Sequence, residues 1–163
     1  MLDTTLVTTL NNQSDHERFA SVSYHALALW CEAASYDGFA EFFHKQTREE
    51  TEHTAKLHAH LLDRGVTPVL GALPSPHQQF ADLLEVAQHA FELEKENTRG
   101  IHAAYEVALK VGDYPAQVLL QWFIAEQVEE EAWTDKLLTL LKRAGCAGAE
   151  ANLDRHIMKI FAD

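Results

Sequence analysis

The chain has 163 residues, 47% of them hydrophobic, enough for one domain with a substantial core and too few for two comfortable ones. Lysine and arginine total 13 against 25 aspartates and glutamates, a formal charge of -12; that sign argues against a nucleic-acid or anionic-membrane partner and suits cations. Only 7 Gly and 4 Pro leave few places where a helix must break, so the expected class is all-α.

The first predicted helix covers residues 5–35, where Gln13, Glu17, Ala20, Tyr24, Leu27 and Cys31 recur every three or four positions. Glu17 is the misfit on that apolar stripe. Asp37-Gly38 is read as a tight turn. A second helix over 38–64 then carries Phe39, Phe43, Gln46, Glu50, His53, Leu57 and Leu61 inward until Gly65 caps it. Glu50-Thr51-Glu52-His53 is a Glu-x-x-His pair, half of the ligand set of a dinuclear metal site in a helical bundle.

Between Gly65 and Ser75 the chain holds Pro68, Gly71 and Pro74, a link of about ten residues that spans roughly 33 Å when extended. A helix of about 28 residues is roughly 42 Å long. The link therefore runs most of the bundle and lets the second and third helices lie parallel. Ser75-Pro76-His77-Gln78 reads as an N-cap, a Pro at the first position and a capping-box Gln, placing the third helix over 76–111. Its stripe is Phe80, Leu83, Ala87, Phe91, Glu94, Ile101 and Tyr105, again broken by one glutamate.

Gly112-Asp113-Tyr114-Pro115 turns the chain with Asp113 as cap, and a fourth helix over 114–143 carries Leu119, Phe123, Gln127, Glu130, Trp133, Leu137 and Leu141 inward. A last helix over 148–161 is too short to persist alone, so it must dock on its own bundle or on another subunit. Residues 1–163 are expected to form a single domain. Cys31 and Cys146 make neither a C-x-x-C nor a disulfide framework. Met1 to Leu10 has no basic region before an apolar run, and no stretch approaches about 18 apolar residues. These features predict a soluble, unexported, cytoplasmic protein.

Glu17, Glu50, His53, Glu94 and Glu130 each fall near the middle of a helix on its inward side, so bundling brings them to one depth. Four buried carboxylates without compensation would repel one another and take raised pKa values, at several kcal/mol per ion. Two divalent cations would neutralise them. Carboxylates with one imidazole suit iron(II) or manganese, whereas structural zinc more typically takes thiolates. Iron is expected, with Glu50 bridging two positions and iron(II) oxidation by dioxygen as the reaction class. Glu41, Glu85, Glu92, Glu96 and Glu106 read as solvated, and His53 is the one histidine of ten assigned to the site. Tyr24 and Trp122 read as core packing, with Tyr24 also within reach of a ligand carboxylate.

The Glu17 to Tyr24 segment, Glu49-Glu50-Thr51-Glu52-His53, Glu94, and the run from Trp122 to Glu131 together resemble bacterial non-haem ferritins over essentially the whole chain. The resemblance implies a ferritin-like four-helix bundle with one long crossover and a short fifth helix, built into a hollow 24-subunit homo-oligomer that oxidises ferrous iron and stores it as a ferric mineral. It implies Glu17, Glu50 and His53 at the first iron position, and Glu50, Glu94 and Glu130 at the second with Gln127 beside them. Glu49, Glu126 and Glu129 would make a looser third position, with Tyr24 next to the centre. The expected partners are iron ions and dioxygen. The fourth helix offers Gln127-x-x-Glu130 instead of a second Glu-x-x-His, and the methionines are Met1 and Met158, so no haem is expected. Two alternatives stay open: a di-iron oxidase of another substrate, which needs an apolar pocket beside the metals, and a non-catalytic metal-binding bundle, which would tolerate alanine at Glu50, His53 and Glu130.

Overall fold

The computed structural model describes residues 2–162, so the first and last residues of the expected 1–163 span lie outside the described residues. Five helices follow one another: α1 (Thr4–Ala33), α2 (Asp37–Asp63), α3 (Leu83–Lys110), α4 (Tyr114–Ala144) and α5 (Ala147–Ile160). The first four form a four-helix bundle with one long crossover and the fifth closes one end. Asp3 caps α1 by accepting from the amides of Thr5 and Leu6. Asp113 caps α4 through the Ala116 amide, as its place before Tyr114-Pro115 predicts.

Two local readings are corrected. Asp37 and Gly38 lie inside α2, and the reversal is made by Ala34 to Tyr36 with Ser35 in the left-handed region at φ 63°. Helix α3 begins at Leu83, capped by the Asp82 side chain on the Glu85 amide, and 76–82 is not helical. The apparent capping box at Ser75 to Gln78 is outweighed by the distance the connection must cover.

That connection starts where Arg64 binds Asp113 through both guanidinium nitrogens, at 2.6 and 2.9 Å. It then climbs α1. The Val69 amide donates to Asn11, the Gly71 amide to Asp15, and Phe80 meets the Trp30 ring at 6.0 Å. Nineteen positions along α1 correspond to roughly 28 Å. The crossover thus returns the chain to the end where α2 began, and α3 runs parallel to α2.

Buried apolar residues form two clusters. One gathers Tyr24, Leu27, Phe39, Phe43, Leu83, Ala87, Leu137 and Ile157; the other gathers Leu6, Leu10, Leu57, Leu61, Ile101, Leu120 and Phe123. On every long helix the stretch between the two clusters holds buried polar residues: Gln13 and Glu17, Glu50 and His53, Glu94 and Asn97, Gln127 and Glu130. One polar layer therefore interrupts the core. Leu119, expected inward, is only half-buried, and Leu120 takes the core position.

Helix α5 docks on its own chain. Ile157 is fully buried, the Phe39 amide at the start of α2 donates to Asp154 at 2.9 Å, and Tyr36 donates to Glu150 at 2.9 Å. Gly38 allows the close approach, since a Cβ there would lie 1.9 Å from the Asp154 carbonyl oxygen.

Candidate metal centre

Helical spacing aims Glu17, Glu50, His53, Glu94 and Glu130 into the polar layer, and none is more than 5% exposed. Three groups bring ligand atoms within 4.8 Å of one another: Glu17, Glu50 and His53; Glu50, Glu94 and Glu130; and His53, Glu126 and Glu130. Glu50 belongs to the first two and lies between them, as a bridging carboxylate must.

The carboxylates are held differently. Glu17 accepts from Gln13 at 2.8 Å and from Asn97 at 2.8 Å. Glu94 accepts from the Tyr24 hydroxyl and, at 3.1 Å, from the Gln127 amide. Glu130 accepts from the Trp133 indole N–H. Glu50 accepts from nothing: both its oxygens are buried without a hydrogen-bond partner, as are His53 Nδ1 and Gln127 Oε1. His53 Nδ1 lies 3.3 Å from Glu50 and 3.8 Å from Glu17. Buried acceptors left unmade cost about 1–3 kcal/mol each unless something supplies the missing partner. Divalent cations would supply the partners that the Glu50 oxygens and His53 Nδ1 lack, and oxygen donors with one nitrogen are a set that fits iron(II).

The electrostatics point the same way. Burial, then the charges of Glu94 and Glu17, push Glu50 well above the ordinary carboxylate range. Burial raises Glu94 to about 7 against the lowering effect of Tyr24 and Gln127, and burial with the charge of Glu94 raises Glu130 to about 8. Burial would also raise Glu17, but His53, Glu50, Asn97 and Gln13 reverse that and hold it low. Burial opposes a charged His53, and the carboxylates of Glu17, Glu130 and Glu126 outweigh it, so its pKa rises. Tyr24 is pushed far up by burial and by Glu94, Glu130 and Glu50, so it stays a neutral donor. Burial thus favours the protonated forms of Glu50, Glu94 and Glu130, and a cation bound among them would displace those protons.

Glu49, Glu126 and Glu129 line one cavity of about 500 Å³ together with Gln46, Glu130, Phe42, Trp133, Phe161, Lys45 and Lys136. Four glutamates make it an acidic antechamber to the layer, lined beside them by the apolar side chains of Phe42, Trp133, Ile160 and Phe161. Glu126 stands nearest the layer, 4.0 Å from His53 Nε2, while Glu49 lies 3.4 Å from Lys45 and Glu129 is exposed. Among the described residues, Glu49 and Glu129 join no close ligand group, and Glu126 groups with His53 and Glu130. Trp122 is not core packing: it is 38% exposed, stands against the His53 ring at 5.5 Å, and carries the Lys56 ammonium on its face.

Asn97 and Trp133 are the functional neighbours that sequence reasoning missed. Asn97 follows Glu94 by three residues, the same spacing as Glu50 to His53, and that spacing was the available signal. Trp133 follows Glu130 by three, but an aromatic on an apolar stripe reads as core.

A family model for the ferritin-like domain matches residues 7–144. The chain is 37% identical over 145 residues to a bacterial non-heme ferritin of Staphylococcus haemolyticus, covering 89% of this chain and 87% of the relative. It is 38% identical over the same length and coverage to a bacterial non-heme ferritin of Staphylococcus aureus. Among solved structures, the open pore ferritin of the hyperthermophilic archaeon Archaeoglobus fulgidus superposes with a TM-score of 0.94 at 28% identity, covering 96% of this chain and 98% of that one.

Proposed function

The chain belongs to the ferritin family, alongside the bacterial non-haem ferritins, and from that membership we propose that it takes in ferrous iron, oxidises it in the polar layer and stores the ferric product within a homo-oligomeric cage. Iron storage is the general function its ferritin relatives support. The oxidising centre is our reading of the site, and one observation carries it: both Glu50 oxygens and His53 Nδ1 are buried without a hydrogen-bond partner, in the groups that Glu50 forms with Glu17 and His53 and with Glu94 and Glu130.

In this reading ferrous ions are the substrate. Glu17, Glu50 and His53 hold one, Glu50, Glu94 and Glu130 hold the other, and Gln127 stands beside the second. Each ferrous ion gives up one electron and dioxygen takes both. The chain's part is to bring two cations together and neutralise them, releasing the protons that burial keeps on Glu50, Glu94 and Glu130. Tyr24 keeps Glu94 aimed by its hydroxyl hydrogen bond. Glu126 reaches from the acidic antechamber toward His53, and Glu49 and Glu129 make the outer part of a third, looser position.

We also read residues 1–163 as one domain acting as one subunit of a 24-subunit assembly. A cytoplasmic location rests on the two free cysteines, Cys31 and Cys146. Among the described residues no helix is long and apolar enough to cross a membrane.

The test is to add a large excess of iron(II) in air and run size exclusion with iron and protein measured in the same fractions. Many iron atoms per chain, eluting with a very large assembly, are the expected result. About two or three per chain on a small oligomer would leave the two-cation centre and remove storage in a cage. His53→Ala and Glu130→Ala should each slow the rapid phase of oxidation by more than about tenfold with helicity unchanged, and unchanged initial rates would show that these are not ligands.

A further inference from the structure

We infer that Trp133 is a positioning residue for the centre: its indole N–H fixes the Glu130 carboxylate, and so sets the affinity of the cation position shared by Glu50, Glu94 and Glu130. The inference rests on the two-cation reading above. Trp133 follows Glu130 by three residues on α4, so its side chain lies over the same face one turn on. Its Nε1–H donates to Glu130 Oε2. An indole nitrogen is a donor only and does not titrate in the accessible range, so its capacity to donate does not change with pH.

The indole is itself immobilised. It packs edge-on against Phe42 at 5.1 Å, against the Tyr24 ring at 6.0 Å and against Phe161 at 6.3 Å. Tyr24 in turn holds Glu94. Two aromatic donors in mutual contact therefore hold the two terminal carboxylates of one cation position. On the other side of Glu50, amide side chains of Gln13 and Asn97 hold Glu17. Supports that separate in this way predict that damage to one leaves the other position intact. Phe161, at the end of α5, covers the outer side of the indole, so docking of the last helix also steadies Glu130.

The experiment is an anaerobic calorimetric titration of the whole protein with iron(II) alone, comparing the parent, Trp133→Phe, Glu130→Gln and the double variant. Phenylalanine keeps the ring packing and removes the N–H. The parent should take two cations per chain tightly, ahead of any that enter the looser third position. Trp133→Phe should keep one affinity and weaken the other by about tenfold to about 100-fold, whereas in the Glu130→Gln background the same substitution should cost little more, because the indole acts through that carboxylate. Both affinities unchanged, or both weakened alike, would overturn the inference and leave the two-cation reading standing. A parent that takes none would remove that reading instead. A second measurement leaves Trp133 in place: in the Trp30→Phe, Trp122→Phe protein, where it is the sole indole, zinc(II) should shift its emission with one equivalent and not with the other. Emission that ignores both equivalents, or follows both equally, would overturn the inference.

Discussion

At the scale of single residues, Glu50 is where stability and function conflict most. Its buried carboxyl has no partner and is pushed well above its ordinary pKa. Replacing it by Gln should raise the melting temperature of the metal-free protein at pH 7 by roughly 2–8 °C, for a gain of about 1–2 kcal/mol. A fall in calorimetric melting temperature would show that the site is not under this tension. Glu94 and Glu130 carry the pH dependence. Their folded pKa values, about 7 and about 8, lie above the ordinary carboxylate value of 4.5. Between these limits the folded state binds more protons than the unfolded state, so the slope of stability with pH is negative. Metal-free protein should therefore lose several kcal/mol of this cluster's contribution as pH rises from about 4.5 to about 8, His53 adding in the same direction. Denaturant midpoints across that range check it, and Glu130→Gln should flatten the curve. The buried carboxylates of the polar layer were legible in the sequence, because a carboxylate at helical spacing on an apolar stripe is a local signal. Their partners were not: Asn97 is brought to Glu17 from 80 positions away.

At the scale of elements, the fifth helix depends on a glycine that sequence reading assigned to a turn. Gly38 lies within α2 and passes against the Asp154 carbonyl, which a Cβ would meet at 1.9 Å. Gly38→Ala must displace α5, at about 1–3 kcal/mol for overpacking. Faster amide exchange confined to α5 and the first turn of α2 is the expected signature; protection unchanged there would mean that the docking yields without loss. The stripes of α1 and α2 were legible position by position, since period alone decides them. The start of α3 was not. Ser75 to Gln78 has the local chemistry of a helix start, and it stays extended because the crossover must reach from the Arg64–Asp113 contact to Trp30 before α3 begins.

At the scale of the whole molecule, the polar layer makes the metal-free bundle less stable than its two apolar clusters alone would allow, and cations should reverse that. Anaerobic iron(II) at about 100 times its dissociation constant should stabilise each chain by about 2.7 kcal/mol, because it binds only the folded site. Calorimetry should show this as a higher melting temperature, with no rise in the Glu50→Gln, Glu130→Gln double variant. No shift in the parent would exclude a preformed cation centre. The sequence by itself determined the class, the four stripes and the inward placing of Glu17, Glu50, His53, Glu94 and Glu130, since each depends on composition or on the period of one helix. Tertiary structure alone decided that Asn97 of α3 holds Glu17 and Tyr24 of α1 holds Glu94, that Trp122 covers His53 instead of entering the core, and that α5 folds back on its own α2. Those outcomes depend on which helices become neighbours and how each is rotated against the next, and no pattern within one helix encodes that.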